Sequence, residues 1–169
     1  MKKFKGFTLP EMVAVIAILM FLAALSTPFV KGYIDDAYNG KALNYMRELY
    51  EASLNFEKDY PGTTISDEGS EFTGCNIDRI YGVNGLVLKP KILTYCHYIK
   101  PVPEDLIGRY EFTIGSDAVV CEMENEECAN ARVIMTGKDE AGIYKDKCAC
   151  VTTLGRVCKK NSDNSTNCL

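Results

Sequence analysis

Lys2-Lys3-Phe4-Lys5-Gly6-Phe7-Thr8-Leu9-Pro10-Glu11 runs directly into residues 12–25, fourteen apolar residues in succession. Ser26, Thr27 and Pro28 extend the span, so nineteen residues pass without a charge before Lys31. That approaches the roughly 20 a helix needs to cross a hydrocarbon core about 30 Å thick. Positive charge precedes the run, which orients such a segment with its N-terminus in the cytoplasm. This is a membrane-inserting or secretory segment. Glu11 is out of place in it: a carboxylate carried to the middle of a bilayer costs about 2.5–3.5 kcal/mol. At the edge of the run it is either an interfacial residue on an ordinary anchor or a functional group.

Beyond Lys31 the helical period continues in amphipathic form. Ile34, Tyr38, Tyr45, Leu49, Ala52 and Phe56 step by three, four or seven, with Arg47, Glu48, Glu51 and Lys58 between them. Tyr60-Pro61-Gly62 is a stop signal. The pattern predicts one helix over residues 10–59, on the order of 75 Å long at 1.5 Å per residue. Pro28, Gly32 and Asn39-Gly40 weaken it, and a kink at Pro28 is expected.

Residues 62–90 are polar and read as a long loop with short pieces of structure, including a turn at Asn84-Gly85. Alternating β-branched and aromatic residues mark strands at 109–114, 118–122, 131–136 and 150–154, with 156–159 a fifth or a continuation. Short connections make the sheet antiparallel, one face on the helical stripe. The tail from Asn161 is expected to be loose unless Cys168 is bridged. The fold class is therefore α+β: a long N-terminal helix, transmembrane in its first half, packed on a C-terminal antiparallel sheet.

All eight cysteines follow Gly74: Cys75, Cys96, Cys121, Cys128, Cys148, Cys150, Cys158 and Cys168. An even number beyond a membrane or secretory segment reads as disulfides in an oxidising compartment. Eight cysteines allow 105 pairings. We expect Cys75–Cys96, Cys121–Cys128 and a clasp near the C-terminus involving Cys158 or Cys168. Zinc fits poorly, because Cys148-Ala149-Cys150 is too tight and Cys121 to Cys128 too wide for paired ligands.

Catalytic material is thin. His97 is the one histidine, beside Cys96, and neighbours in a strand would face opposite sides. Glu122, Glu124, Glu126 and Glu127 lack the Asp/Asn alternation of calcium loops and read as a solvated turn. No enzyme, cofactor or metal site is expected. The formal charge is −4, or −7 without Lys2, Lys3 and Lys5, a poor partner for nucleic acid.

The basic leader ending in glycine, then Phe-Thr-Leu-x-Glu and an apolar helix, resembles the processing site of type IV pilins and pseudopilins. The resemblance covers about residues 2–31. It implies cleavage between Gly6 and Phe7 by a prepilin peptidase, followed by N-methylation of Phe7. It also implies that Glu11 neutralises the Phe7 amine of a neighbouring subunit during assembly. Pro28 stands where many members carry proline, and related pilins melt locally there in filaments. Pro10 replaces the usual aliphatic residue but is tolerated in a first turn. The implied layout is leader 1–6, transmembrane and filament-core helix 7–30, amphipathic half 31–60 and disulfide-rich head 61–169.

The resemblance further implies a homo-oligomeric helical filament, an inner-membrane assembly platform and a bilayer holding the precursor with its head outside the cytoplasm. A surface pilus subunit is favoured over a pseudopilin of type II secretion, with a DNA-uptake or adhesive minor pilin as an alternative. The rival from another class is a Sec-secreted protein, cleaved after Ala24-Leu25-Ser26 to begin at Thr27.

Overall fold

The computed structural model describes residues 8–71, 75, 85–115, 131–152, 154–160 and 166–168. One helix, α1 (Leu9–Asp59), extends without interruption through Pro28, Gly32 and Asn39-Gly40. It ends where expected, with the Tyr60 N–H donating to the Phe56 carbonyl. Strands β1 (Thr63–Ser70) and β2 (Leu86–Leu88) follow, then short helices α2 (Lys91–Tyr95) and α3 (Glu104–Ile107). Strands β3 (Tyr110–Ile114), β4 (Val133–Gly137), β5 (Cys148–Val151), β6 (Val157–Lys160) and β7 (Thr166–Cys168) form an antiparallel sheet in sequential order. A 3₁₀ helix, Asp139–Tyr144, connects β4 to β5. The layout is α+β, a long apolar helix followed by an antiparallel sheet.

The lower half of α1 buries Ala42, Tyr45, Met46, Leu49, Ala52 and Phe56 against the sheet. From the sheet, Val133, Met135, Ala149, Val151 and Val157 face them. Of the expected stripe, Ile34 is exposed and Tyr38 only half-buried; contact with the head begins instead at the polar Asp35 and Asn39, and buried apolar residues start at Ala42.

Polar ties fix both ends of the docked half. At the upper end the Asp35 carboxylate, 4% exposed, lies 3.6 Å from Arg109 Nη1 and accepts the Ile143 N–H at 3.4 Å. The Arg109 guanidinium also stacks 4.1 Å over the Tyr38 ring and donates to the Glu140 carbonyl at 2.7 Å. Tyr144 donates its hydroxyl to Asp36 at 2.6 Å. At the lower end Arg132 pairs with Glu57 and donates to Ser53 Oγ at 3.2 Å, while Tyr98 donates to Asp59 at 2.6 Å. The Lys41–Asp105 pair between them is exposed and contributes little.

Several expectations are corrected. Residues 63–70, expected to be part of a long loop with only short pieces of structure, form an eight-residue strand paired in parallel with β2. Its inward side is Thr63, Ile65 and Gly69, only one of them a large apolar residue. Gly69 is required there, because a Cβ would lie 2.5 Å from the Leu88 backbone. The strand expected at 150–154 spans Cys148–Val151, and the possible fifth is Val157–Lys160. Of the tail, Thr166–Cys168 pair with β6 as β7, with Cys168 opposite Cys158, and residues 161–165 lie outside the described residues. Cys96 and His97 sit at the end of α2 and in the following turn, not in a strand. The strand expected at 118–122 and the acidic turn at Glu122, Glu124, Glu126 and Glu127 lie outside the described residues.

Burial raises the phenol pKa of several tyrosines at the helix–sheet seam. Tyr45, with Glu48 adding to the effect, is pushed up to about 12. Tyr110 and Tyr144 also rise to about 12, chiefly by burial, with the Asp36 bond adding at Tyr144. Tyr98 is raised further by burial and its bond to Asp59. The folded chain therefore keeps these rings protonated beyond the ordinary value of 10.0. The stability they carry is complete below about pH 10 and is lost as pH rises towards 12. Native protein should show late-ionising rings in a tyrosinate absorbance titration, whereas in denaturant all ten tyrosines should titrate together near pH 10.

Gly142 offers a second test. Its φ is +65°, and a Cβ there would lie 2.0 Å from Asp35 Oδ2. Gly142→Ala should destabilise the head by about 1–3 kcal/mol in denaturant unfolding. Gly40→Ala, on α1 with nothing within 4 Å, should instead stabilise by roughly 0.5–1 kcal/mol.

Candidate functional site

The N-terminal turn of α1 is built by Thr8, Leu9, Pro10 and Glu11. Thr8 is the N-cap, in extended backbone, and Pro10 occupies the first helical turn where its missing N–H costs nothing. Glu11 folds back over the turn. Its Oε2 accepts the Thr8 backbone N–H and the Thr8 hydroxyl, each at 2.7 Å. The Thr8 carbonyl accepts the N–H groups of Glu11 and Met12, at 3.1 and 3.2 Å. Thr-x-x-Glu ahead of an apolar run is the sequence form of a capping box, so this pairing was readable from residue types alone. The carboxylate also complements the positive end of the helix.

From Leu9 to Ile34 the large apolar side chains are all exposed, unburied by the described residues of the head. Leu9 is 79% exposed, Phe21 66% and Phe29 73%. This half is long and apolar enough to cross a membrane. Its hydroxyls are turned inward: Ser26 and Thr27 both donate to the Ala23 carbonyl, at 3.0 and 2.9 Å. Neither therefore presents an unpaired donor to an apolar surrounding.

Gly6 and Phe7 lie outside the described residues, and α1 is continuous through Pro28. Cys75 is bridged to Cys96, their Cα atoms 5.0 Å apart. The bridge closes 21 residues of chain, a constraint contributing roughly 3 kcal/mol. It ties Cys75 to the end of α2 and leaves no thiol beside His97, which is exposed. Cys148, Cys150 and Cys158 are also disulfide-bonded. Cys121 and Cys128 lie outside the described residues. Among the described residues no cluster of His, Cys, Asp and Glu could hold a metal ion.

These features converge on the first turn and its apolar continuation. Residues 1–27 match the prokaryotic N-terminal methylation motif. The chain thus carries a type IV prepilin-like signal motif over its first 27 residues. No curated protein and no solved structure matches it. The motif ends at residue 27, inside α1, so signal and head share one helix.

What the sequence reading missed is the partner of Glu11 within its own chain, Thr8, and the buried anchor Asp35. Thr8→Val removes the hydroxyl but keeps the backbone donor. It should speed amide exchange in the first turn of α1 about fivefold in detergent-solubilised protein, the effect of losing a ~1 kcal/mol cap.

Proposed function

We propose that the chain is a structural subunit of a type IV pilus-like filament. The observation that carries this reading is the methylation motif continuing into a helix half whose apolar surface is unburied. In the precursor that half lies in the inner membrane, with residues 61–169 as a head outside the cytoplasm. A prepilin peptidase cuts between Gly6 and Phe7 and methylates the Phe7 amine, removing leader 1–6. An inner-membrane platform then draws the subunit from the bilayer, and residues 7–30 bundle as the filament core while 31–60 carry the head. The mature protein is at the cell surface or in the periplasm.

Glu11 has a specific task in this scheme. Within the bundle its carboxylate pairs with the Phe7 amine of a neighbouring copy. Leaving that amine unpaired in an apolar bundle costs about 3–5 kcal/mol. Pro28 supplies a weak point at which α1 bends or locally unwinds on packing. A surface pilus is favoured over a secretion pseudopilin by the cysteine-rich head, which suits exposure. The acidic charge of the chain disfavours nucleic acid as the head's ligand.

The Sec alternative fits the helix less well. A cut before Thr27 would sever α1 between residues that share a carbonyl, Ala23, through their side chains.

Intact mass and N-terminal peptide analysis of the membrane-associated mature protein tests the reading. The expected chain begins at N-methylated Phe7; one beginning at Thr27 refutes the pathway. Glu11→Ala should leave membrane insertion unchanged and abolish filaments, and wild-type filament yield from that variant would remove Glu11 from the mechanism.

A further inference from the structure

The end of the apolar stretch and the start of the head lie close together on α1. Val30 is the last residue of the uncharged run, and Asp35 is the first described residue that is buried. At 1.5 Å per residue, Asp35 lies about 7–8 Å along the helix from Val30. The polar headgroup layer of a bilayer is about 5–7 Å deep on each side of the hydrocarbon. Whatever docks at Asp35 therefore sits at headgroup level when residues 12–30 span a membrane.

What docks there is the 3₁₀ helix Asp139–Tyr144. Its Ile143 N–H donates to Asp35 and its Tyr144 hydroxyl donates to Asp36. Gly142 approaches the Asp35 carboxylate so closely that no Cβ would fit. The segment is tied down at three points, yet the Ile143 side chain is 44% exposed. A single exposed isoleucine is ordinary on a protein surface. The position of this one is not. On the flank of α1 that bears Asp35, the next residues towards the apolar half are Lys31 and Gly32, four and three positions earlier. Gly32 has no side chain, and nothing lies within 4 Å of the point a Cβ would occupy. Gly32 thus leaves open space between the 3₁₀ helix and the bilayer surface.

The opposite flank carries Tyr33, about 160° round the helix from Asp35. It is 76% exposed. A tyrosine just outside an apolar span packs its ring towards the hydrocarbon and keeps its hydroxyl among the headgroups. Ile143 and Tyr33 stand on opposite sides of α1 at nearly one level. Charge does not lead the contact. Asp139 pairs with Lys145 at 2.7 Å, Asp35 lies against Arg109, and Lys31 and Lys138 are offset by Asp36, Glu140 and Asp146.

We infer that the 3₁₀ helix is a membrane-contact element: in the anchored precursor Ile143 packs among the phospholipid headgroups, on the side of α1 opposite Tyr33. The inference rests on the membrane-anchored reading above and extends it, because it makes the head a lipid-facing surface as well as the helix. Contacts on two flanks restrict the tilt and roll of α1. The head is then held at a set attitude over the bilayer until extraction breaks the Ile143 contact.

The sequence contains no tryptophan, so a single introduced one reports its own surroundings. Full-length Ile143→Trp, Tyr33→Trp and Leu54→Trp proteins would be reconstituted in phosphatidylethanolamine–phosphatidylglycerol vesicles doped with phosphatidylcholine brominated high on its acyl chains. Leu54 is 39% exposed and is the aqueous reference. It lies about 36 Å along α1 from Val30. Bromine should quench the Ile143→Trp and Tyr33→Trp proteins several-fold more than the Leu54→Trp protein, and high salt should leave that quenching unchanged. A second measurement needs no substitution. In isoleucine-methyl-labelled wild-type protein in lipid nanodiscs, a headgroup nitroxide should broaden the Ile143 methyl and leave the buried Ile92 sharp. The wild-type methyl decides where the two measurements disagree.

Quenching of the Ile143→Trp protein no greater than that of Leu54→Trp, with an unbroadened Ile143 methyl, would overturn the inference. Quenching of Tyr33→Trp would in that case still uphold the anchor. Quenching lost in high salt would also overturn it, since the contact would then be electrostatic. No quenching in any of the three proteins would remove the anchor and the inference together.

Discussion

One continuous helix has to suit two surroundings, and the architecture is arranged around the point where it changes from one to the other. From Met12 to Val30 α1 carries no charge, and its large apolar residues from Leu9 to Ile34 are exposed rather than buried in the head. One residue later Asp35 is 4% exposed and faces the protein. Apolar burial is non-directional and would tolerate the sheet sliding along the helix by a turn. A buried carboxylate does not, because breaking its pairing strands a charge at a cost of several kcal/mol. Arg109, immediately before β3, and the Ile143 N–H in the 3₁₀ helix therefore define where the head begins. Gly142, with its positive φ and absent Cβ, lets the connecting segment approach closely enough to make that contact.

The centre of the sheet is buried on both sides, which accounts for its composition. Val133 and Met135 pack toward α1, while Ile134, with Ala131, Cys150 and Cys158, forms a separate buried cluster. A strand with one wet face would alternate, whereas Val133-Ile134-Met135 is apolar throughout. The disulfide-bonded Cys150 and Cys158 sit opposite each other in the β5–β6 ladder and stiffen the second cluster. Covalent links thus reinforce the side of the sheet that α1 does not cover.

Legibility in the sequence followed how local each determinant is. The nineteen uncharged residues, the Tyr60-Pro61-Gly62 stop and the β-branched alternation at 109–114 are local patterns, and the elements lie within a few residues of them. Strand β1 was illegible because its inward positions are a threonine, an isoleucine and a glycine. Its partner β2 is non-local and parallel, so no turn signal joins the two. The same holds for β7, whose polar Thr166-Asn167-Cys168 gains its order from pairing with β6. Helices α2 and α3 are barely a turn each, too short for a period to show. Asp35 reads as an ordinary surface acid, since nothing nearby in sequence announces Arg109, which lies in another element. At the N-terminus the motif is plain in the sequence, but a lone carboxylate ahead of an apolar run points first to lipid or a neighbouring copy. Its closest partner was three residues away.

That local partner bears on how assembly would proceed. In the single chain the Glu11 carboxylate already holds two donors from Thr8, so under the proposed scheme a subunit waiting in the membrane would not present a bare charge to lipid. In the proposed filament the carboxylate meets a positively charged amine in a low-dielectric bundle, where an ion pair is far stronger than in water. The exchange is favourable only once neighbouring helices exclude water and polar headgroups from the pair. Away from the bundle, the cap wins by default because it is intramolecular. Glu11 on this view responds to packing rather than driving first encounter, and the initial recognition between copies falls to surfaces outside the membrane. The head, held in fixed register by Asp35, is what would bring the helices close enough for the exchange to occur.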